Sequence, residues 1–583
     1  ATYAILNEKQ VGMGESTCSA VFGAKPRGHG GRALFSIDSL TRIALERAES
    51  AREAVKLMGY LAEKEGFYGA NAFEGTGESL MVIDPREGFI FHILPDPSGE
   101  SAIWAAQRVP DGHVGVVANM FTIRQIDPNK TGEAAEPDFL FSASVHSVAQ
   151  ARGWWHPSEG LLDFTKVGTS LFSNIPPPMA ILPLLIPYRI PDPSTHLLIR
   201  CVASSAPLPI RFPTTDVTAY HIHRLPDLYS PLYTHQVYSD GEYAHKYYSG
   251  RRMWGAYRLL APDTPLPSEY SDLRTDHVYP TTLPTRRKLT PIDLMAVHRS
   301  FYEGTKYDLS RGAAAGPFGN PDRYSTSTRR KGAWERSIAL YRTASSHIVQ
   351  VRAWLPHGVG GIMWFGPAAP HGTLYVPFAA GLQTLPPQYS VADPGLISRD
   401  SAYWAHKYSL NIARLRYDAM SCEISSLQHK FENHALAQVF NISASTPLSR
   451  LEEETKAFAA RVLREWWRLP DMLIQKYADG WFEDGRALGY PDTWLDQVGY
   501  MNGPPQPPTE PELPHCCNPS WTTSERLKES TLAVVTQLSP ECPRGLRACI
   551  ASCGKLINEE DFSECVTLCM ETCERDELRL SQS

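Results

Sequence analysis

The stretch LTRIALERAESAREAVKLMGYLAEKEG, residues 40–66, does most to set the fold. Its apolar residues recur at spacings of three and four, the period of one helix face, and Gly66 is suited to end the pattern. We predict an amphipathic helix pair here, with Asp38 or Ser39 as the N-cap. One layer of the protein is therefore expected to be helical.

Four short runs with alternating apolar residues follow the helix pair. Each run is bounded by Gly, Pro or Asp, and together they predict a meander of antiparallel strands: SLMVID (79–84), GFIFHIL (88–94), SAIWAAQRV (101–109) and HVGVVANMFTI (113–123). More strand-like runs occur at THLLIRCVAS (195–204), SHIVQVRAWL (346–355), GGIMWFG (360–366) and TLYVPF (373–378). Helical runs occur at RRMWGAYRLLA (251–261), TPIDLMAVHRSFYEG (290–304) and SAYWAHKYSLNIARLRYDAM (401–420). Strands with helices on their outer faces favour a layered α+β core.

Composition divides the 583 residues into four regions. We predict an α+β domain over 1–430, a helical extension over 431–502, a stiff proline-rich linker over 503–515 and a cysteine-rich tail over 516–583. With 43% hydrophobic residues, a chain of this length can bury one large core and one or two smaller ones.

The tail holds eight of the eleven cysteines. Many of them are spaced four apart, which places them on one face of each of two helices. Antiparallel packing of these helices predicts a disulfide-stapled hairpin with three pairs: Cys549 with Cys569, Cys553 with Cys565, and Cys542 with Cys573. A zinc site is the weaker alternative, because such sites are usually built from CxxC-type motifs.

Disulfides imply an oxidising compartment. Two glycosylation sequons, at Asn129 and Asn441, favour the same environment. We therefore predict that the protein lies in the secretory pathway, in a lysosome- or vacuole-like organelle, or outside the cell.

Charge and hydropathy exclude some partners. The net charge is −7, and no run of Lys and Arg is dense enough to follow a nucleic-acid backbone. The most apolar stretch, PPPMAILPLLIP (176–187), is broken by prolines and is too short for a membrane helix. The sequence therefore predicts neither a nucleic-acid partner nor a membrane span, and no motif in it calls for a metal or a cofactor.

Six longer motifs carry a family resemblance. In chain order they are NEKQVGMGEST (7–17), LTRIALERAESAREAV (40–55), WAAQRVPDGHVGVVAN (104–119), TPIDLMAVHRSFYEGTKYDLSRGAAAGPFG (290–319), WERSIALYRT (334–343) and GGIMWFGPAAPHGTLYVPFAAG (360–381). Over roughly residues 1–425 the chain resembles the dipeptidase A and secernin family of cysteine peptidases, which belong to the N-terminal nucleophile hydrolases. The resemblance implies a four-layer αββα sandwich.

It also implies a nucleophilic cysteine at an N-terminus exposed by cleavage of a propeptide, with its own α-amino group as the base. The family places this cysteine many tens of residues before the NEKQV motif, so Ala1 does not fill that role. Cys18 is not terminal, and we expect it to be a buried structural residue. The expected nucleophile therefore lies on an upstream fragment of the same precursor that stays bound to this chain.

Three site residues follow from the resemblance. Asn7 matches a position whose side-chain amide points into the oxyanion hole, and Asn119 resembles the family's second site asparagine. Arg252 matches an arginine that lies beside the nucleophile, where a cation favours the thiolate. Each has a simpler interpretation from its local sequence: a turn for Asn7, a strand-end cap for Asn119 and a surface salt bridge for Arg252.

The resemblance implies a cysteine-dependent amide hydrolase, and a dipeptidase acting on small unblocked peptides through a thioester in particular. An acylase of N-acyl amides is the nearest alternative. A non-catalytic relative with a structural or binding role is the alternative from another class. A homo-oligomer is expected.

Overall fold

The computed structural model describes residues 5–69, 76–132, 136–165, 238, 246–268, 279–324, 334–477 and 489–500. The chain divides into two units, Ala1–Val498 and Gly499–Ser583. The predicted linker, the tail and its cysteine pairs lie outside the described residues, as does the strand predicted at 195–204. None of the helices in the described part of the chain is long and apolar enough to cross a membrane.

The described strands form antiparallel sheets. They are β1 (Gly12–Cys18), β2 (Gly77–Ile83), β3 (Gly88–Pro95), β4 (Ala102–Arg108), β5 (His113–Gly115), β6 (Phe139–Phe141), β7 (Thr282–Pro284), β8 (Ser346–Gln350), β9 (Ile362–Gly366) and β10 (Val376–Ala379). A five-stranded sheet has the order β1-β2-β3-β4-β6, a three-stranded sheet has the order β10-β9-β8, and β5 pairs with β7. In the first sheet Ser16 of β1 lies opposite Ser79 of β2, which lies opposite His92 of β3.

The described helices are α1 (Ile37–Arg47), α2 (Ala51–Glu65), α3 (Ser144–Ala151), α4 (Arg251–Leu260), α5 (Pro291–Arg299), α6 (Ala402–Ala413), α7 (Tyr417–Phe440), α8 (Leu448–Tyr477) and α9 (Asp492–Gln497). Together with the sheets they confirm the predicted α+β class. The helix α7 runs without a break through residue 430, where the sequence suggested the end of the first domain.

Each large sheet has a helical cover. Leu40 of α1 and Met58 of α2 pack with Leu80 and Phe91 of the five-stranded sheet. On the three-stranded sheet, Trp364 and Phe378 pack in one cluster with Phe431 of α7 and Trp466 of α8. Burying large apolar side chains of this kind contributes roughly 1.5–3 kcal/mol each, so these two clusters are a main source of stability.

The two sheets meet at β1 and β8. A side chain at Gly12 would place its Cβ 2.6 Å from Cγ1 of Val349, so the close approach requires a glycine there. At the next residue of β1, the carbonyl oxygen of Met13 accepts a hydrogen bond from His347 Nε2 at 3.0 Å. These contacts hold β1 against β8, so that the face of β1 with Gly12, Gly14 and Ser16 is turned to β8.

The helix pair confirms the prediction for residues 40–66, except at the first cap. Ser36, and not Asp38 or Ser39, is the N-cap of α1, and it forms a reciprocal capping box with Ser39. Ser50 caps α2, and Gly66 ends it with a φ of 81°. A break between Arg47 and Ala51 separates the two helices.

The prediction of a strand over residues 113–123 is largely wrong. Only His113–Gly115 is a strand, and it pairs with β7 instead of joining the meander. The segment that follows crosses the face of the five-stranded sheet that carries Ile90 of β3, and its Phe121 and Ile123 pack with that residue. The fourth partner of the meander is β6, a three-residue strand that its short sequence did not predict.

Two further elements are shorter than predicted, and a third is divided. The strand at 346–355 ends at Gln350, the helix at 290–304 ends at Arg299, and the helix at 401–420 is divided by a 3-10 turn at Arg414–Arg416. Outside these elements, both sequon asparagines, Asn129 and Asn441, are exposed.

Candidate active site

A cleft with two adjoining compartments lies where β1 and β2 face α5 and β8. The serine compartment has a volume of about 290 Å³, and its walls include Gly14, Ser16, Ser79, Met81, His298 and His347. The arginine compartment has a volume of about 360 Å³, and its walls include Ser16, Thr17, Asn119, Arg252, His298 and Thr343. Ser16 and His298 line both, so a small peptide could extend from one into the other.

Arg252 and Asn119, which the sequence places far apart, form a pair in the arginine compartment. Arg252 Nη2 donates to Asn119 Oδ1 at 2.9 Å, and Arg252 Nε donates to the carbonyl oxygen of Tyr248 at 2.8 Å. The guanidinium also lies over the Tyr248 ring, 4.7 Å from its centroid. Among the described residues no carboxylate lies within ion-pair distance of Arg252, so its charge is directed to the cavity.

The neighbouring Arg251 forms an ion pair, as the simpler interpretation expected of Arg252, but the pair is buried and not on the surface. Its side chain is buried, and its Nε donates to Glu335 Oε2 at 3.0 Å. The guanidinium carbon of Arg251 lies 3.4 Å from the centroid of the Tyr307 ring. The two consecutive arginines at the start of α4 thus have different roles. Arg251 forms an ion pair, and Arg252 places its positive charge at the wall of the cavity.

Asn119 has an unusual backbone for a residue other than glycine, with a φ of 56°. Asparagine is among the residues that enter this left-handed region most readily, but the conformation still costs energy and requires support. Its backbone N–H donates to Ser16 Oγ at 2.9 Å, and its Nδ2 donates to the carbonyl oxygen of Thr17 at 2.6 Å. The second hydrogen of Nδ2 has no acceptor among the described residues.

Asn7 lies elsewhere, at the C-terminal end of α1. Its Nδ2 donates to the carbonyl oxygens of Leu45 at 3.0 Å and Ala48 at 2.9 Å, and its Oδ1 accepts from the backbone N–H of Lys9 and Val11. Both amide hydrogens are therefore engaged, and Asn7 lines neither compartment. The geometry is that of a buried cap joining a turn to a helix end.

Burial controls the ionisation of the cavity residues. Burial, helped by the nearby Arg336, lowers the pKa of the Arg252 guanidinium to about 10, so it stays charged at neutral pH. Burial lowers the pKa of His298 to about 4, with smaller contributions from His347 and Arg299. It lowers the pKa of His347 as well, so both imidazoles in the serine compartment are neutral at pH 7.

The residues that build this cleft also carry the match to known proteins. The sequence model of peptidase family C69 matches residues 2–171 and 218–430, well over half of the chain. The chain belongs to peptidase family C69. The assignment confirms the resemblance stated from the six motifs.

Several curated bacterial proteins are similar to this C69 chain. It is 25% identical over 384 residues to a probable dipeptidase of Latilactobacillus sakei, covering 66% of this chain and 58% of that protein. It is 23% identical over 353 residues to a probable dipeptidase of Salmonella dublin, covering 60% and 56%. It is 22% identical over 231 residues to dipeptidase A of Lactobacillus helveticus, covering 39% and 42%. The matched regions span less than two thirds of each relative.

The described cysteines of the C69 chain do not line the cleft. Cys18 is completely buried, and this burial, reinforced by Glu78 and Glu15, raises the pKa of its thiol well above the ordinary value. A neutral thiol without access to the cleft is a poor nucleophile. The expectation of a structural Cys18 is confirmed, and Cys422 is exposed on α7.

The sequence missed several cleft residues of this C69 chain, among them Ser16, Ser79, His298 and His347. Ser16 and His298 lie within two of the six motifs but were not singled out there, and Ser79 and His347 lie outside those motifs. One signal was available for Ser79, since the two runs 79–84 and 88–94 form a hairpin whose register sets it opposite His92. His298 is joined through the Tyr375 hydroxyl to Ser346, with distances of 2.9 and 2.7 Å.

Proposed function

We propose that this chain is the larger part of a cysteine-dependent amide hydrolase that cleaves unblocked dipeptides. In this proposal the nucleophilic cysteine is the first residue of a mature segment that precedes residue 1 in the precursor. The observation that carries the proposal is the Arg252–Asn119 pair, which lines a peptide-sized cleft within the residues matched to family C69. The names of the relatives support the dipeptide as substrate.

The proposed reaction begins when the α-amino group of that cysteine takes the thiol proton. Its ordinary pKa, about 7.7–8.0, suits a base working near neutral pH. The sulfur attacks the amide carbon, and the tetrahedral intermediate expels the amine, which leaves with the proton, to form a thioester. Water then attacks the thioester, releasing the acid and restoring the thiol.

Asn119 has the donor that the tetrahedral intermediate requires. One hydrogen of its Nδ2 is held by the Thr17 carbonyl and orients the amide, and the other has no described acceptor. A neutral donor fixed in this way stabilises a developing oxyanion without reorganisation. We assign the oxyanion contact to Asn119. The same role for Asn7 stays a prediction, and the engaged amide of Asn7 gives it no support.

Arg252 supplies the positive charge of the site. A guanidinium close to the nucleophile stabilises the thiolate relative to the thiol, and its planar fork also suits a carboxylate of the substrate. The contact to Asn119 Oδ1 couples the cation to the proposed oxyanion donor, because it fixes which way the amide faces.

We also propose that the two sheets are the inner layers of a four-layer αββα sandwich. The support is that α1 and α2 cover one sheet, α7 and α8 cover the other, and β1 approaches β8 between them. Within the described strands β1 pairs with β2 alone. On its other edge Leu6 forms a bridge with Gly12, and the backbone N–H of Met13 donates to the carbonyl oxygen of Ile5 at 2.8 Å.

The test is an assay of the protein expressed with its upstream segment, using an unblocked dipeptide as substrate. We expect hydrolysis, complete loss of activity after alkylation of an N-terminal cysteine by iodoacetamide, and two polypeptides on a denaturing gel. Hydrolysis that resists alkylation, or a first residue without a thiol, would overturn the proposed nucleophile. Cleavage of N-acyl amides alone would favour the acylase, and no cleavage of either substrate would favour a non-catalytic role.

A further inference from the structure

Ser16 and Ser79 lie side by side on the floor of the serine compartment. They are direct partners across the antiparallel pair β1 and β2, so their side chains emerge from the same face. Both line the compartment. Two hydroxyl groups therefore face the same small volume.

A buried histidine fixes the hydroxyl of Ser79. His92, opposite Ser79 on β3, is fully buried, and its Nε2 accepts hydrogen bonds from the backbone N–H groups of Thr122 at 2.9 Å and Ile123 at 3.2 Å. A nitrogen that accepts from backbone amides carries no proton, so the proton of the neutral ring lies on Nδ1. Nδ1 lies 2.8 Å from Ser79 Oγ and therefore donates to it.

This arrangement leaves the hydrogen of the Ser79 hydroxyl for a ligand. Its oxygen already accepts from His92, and among the described residues no acceptor lies within reach of its own hydrogen. Ser16 has the same arrangement, since its oxygen accepts from the backbone N–H of Asn119 at 2.9 Å. Each hydroxyl accepts from the protein and is left to donate into the cleft.

Burial lowers the pKa of His92 to about 3, so the imidazole stays neutral and its tautomer does not change with pH in the working range. The two imidazoles that line the compartment, His298 and His347, are also neutral. Its described walls hold no lysine or arginine, and their one charged residue is Glu15, whose Oε1 accepts from Thr17 Oγ1 at 2.8 Å. The compartment thus offers uncharged donors, which suit an oxygen with free lone pairs.

We propose that Ser16 and Ser79 form a two-donor subsite that binds an sp² oxygen of the peptide substrate, either its terminal carboxylate or an amide carbonyl. His92 is the positioning residue that orients Ser79. The proposal rests on the proposed function, since it places part of a dipeptide in the serine compartment while its scissile bond lies beside Asn119 and Arg252.

Ser79→Ala is the informative variant, because Ser16 also holds the backbone of Asn119. We expect KM for alanyl-alanine to rise roughly tenfold with little change in kcat, the cost of one hydrogen bond to the ligand. Ser79→Thr keeps the hydroxyl in a strand and should restore most of the affinity. A matched control is Ser142→Ala, since Ser142 is also buried and its Oγ accepts from the backbone N–H of Trp104, but it lines neither compartment.

The C-terminal amide of alanyl-alanine shows which oxygen the subsite binds, the terminal carboxylate or an amide carbonyl. If the subsite holds the carboxylate, Ser79→Ala raises KM for the dipeptide more than KM for its amide. If the subsite holds a carbonyl oxygen, the two KM values rise equally. Either result supports the subsite. Equal KM values in Ser79→Ala and Ser142→Ala would overturn it.

Equilibrium binding of the same two compounds, measured by calorimetry on the processed protein, separates this inference from the proposed activity. Binding without hydrolysis that Ser79→Ala weakens would support the subsite and reject the dipeptidase. Hydrolysis with unchanged binding in Ser79→Ala would reject the subsite and leave the dipeptidase standing. Neither binding nor hydrolysis in the wild type would reject both.

Discussion

The turn at Asn7 and the turn at Asn119 carry the same side chain near the same strand, and they use it in opposite ways. At Asn7 both amide hydrogens and the carbonyl oxygen are held by backbone groups. At Asn119 the amide touches Arg252, lines the cleft and keeps one hydrogen without a described acceptor. An amide that is fully engaged stabilises the fold, whereas one that is partly engaged and open to a cavity can bind a reacting atom.

The difference also appears in the backbone. Asn119 has a left-handed φ of 56°, a conformation that residues other than glycine adopt at a cost, and Asn7 is not among the residues with a positive φ. The contacts from Ser16 and Thr17 hold Asn119 in place. Rigid support of a strained residue is the property that an oxyanion donor requires.

The largest expected effect comes from Asn119→Gly. Glycine adopts the left-handed backbone freely and keeps the N–H that bonds to Ser16, so it removes only the amide side chain. We predict that turnover of an unblocked dipeptide falls roughly 10²- to 10³-fold, the usual cost of one lost oxyanion donor. The free energy of unfolding, measured by denaturant titration, should fall by roughly 1–3 kcal/mol, because the hydrogen bonds of the side chain to Thr17 and Arg252 are lost. Unchanged turnover would remove Asn119 from the reaction centre.

A smaller loss is expected for Arg252→Lys. Lysine keeps the positive charge but cannot donate at the same time to Asn119 Oδ1 and to the Tyr248 carbonyl, because it lacks the planar fork. We predict a fall in kcat/KM by roughly 10- to 100-fold. Arg251→Lys is a poor control, since it breaks a buried ion pair, so Arg258→Lys at the other end of α4 is the better comparison. Equal activities of the two lysine variants would contradict the role of Arg252.

Asn7→Ala should act on stability instead. The change removes two donors from the buried carbonyl oxygens of Leu45 and Ala48, together with the acceptor for two backbone N–H groups. We predict a loss of about 2–4 kcal/mol in the free energy of unfolding. Activity per folded molecule should stay within about twofold of the wild type. If turnover by the folded variant instead fell by roughly a hundredfold or more, the predicted role of Asn7 as an oxyanion donor would be supported.

The buried histidines His92 and His298 are expected to have the smallest effect on catalysis. Their effect is on the free energy of unfolding, which should depend on pH. The folded pKa values of His92, about 3, and His298, about 4, lie below the ordinary value of 6.5. The unfolded chain therefore takes up protons first as the pH falls. The stability due to these neutral rings is complete above about pH 7 and decreases from pH 6.5 toward pH 4.

A pH series of denaturant titrations measures this decrease, and it sharpens the contrast between the two turns. Asn7→Ala should show the same decrease as the wild type, because Asn7 contacts neither histidine. A flat profile between about pH 7.5 and 5 would contradict the buried neutral state of both rings.

Local patterns predicted the layers of the fold well. The helix pair of residues 40–66 and the strands within 79–109 follow from periodicity alone, because their apolar faces pack on one side each. The segment 113–123 alternates like a strand, but the backbone N–H groups of Asn119, Thr122 and Ile123 bond to the side chains of Ser16 and His92. Periodicity cannot detect partners so distant in sequence.

The residues of the candidate site were only partly predicted, because their contacts also join residues that are distant in sequence. The resemblance indicated Asn119 and Arg252, and the structure brings them together at 2.9 Å. It indicated Asn7 equally, since a motif gives the position of a residue and not the use of its hydrogen bonds. Ser79 and His92 carry no motif, and their relation becomes visible only with the register of β2 and β3.

The most direct test is a crystal structure of the processed protein with a dipeptide-derived inhibitor that reacts with thiols. We predict that the inhibitor is bound to the N-terminal cysteine of the upstream segment, beside Arg252. Its carbonyl oxygen should lie roughly 2.7–3.1 Å from Asn119 Nδ2, the range of an oxyanion contact. An inhibitor whose carbonyl oxygen is held by Asn7, or one bound outside the cleft, would contradict this account of the site.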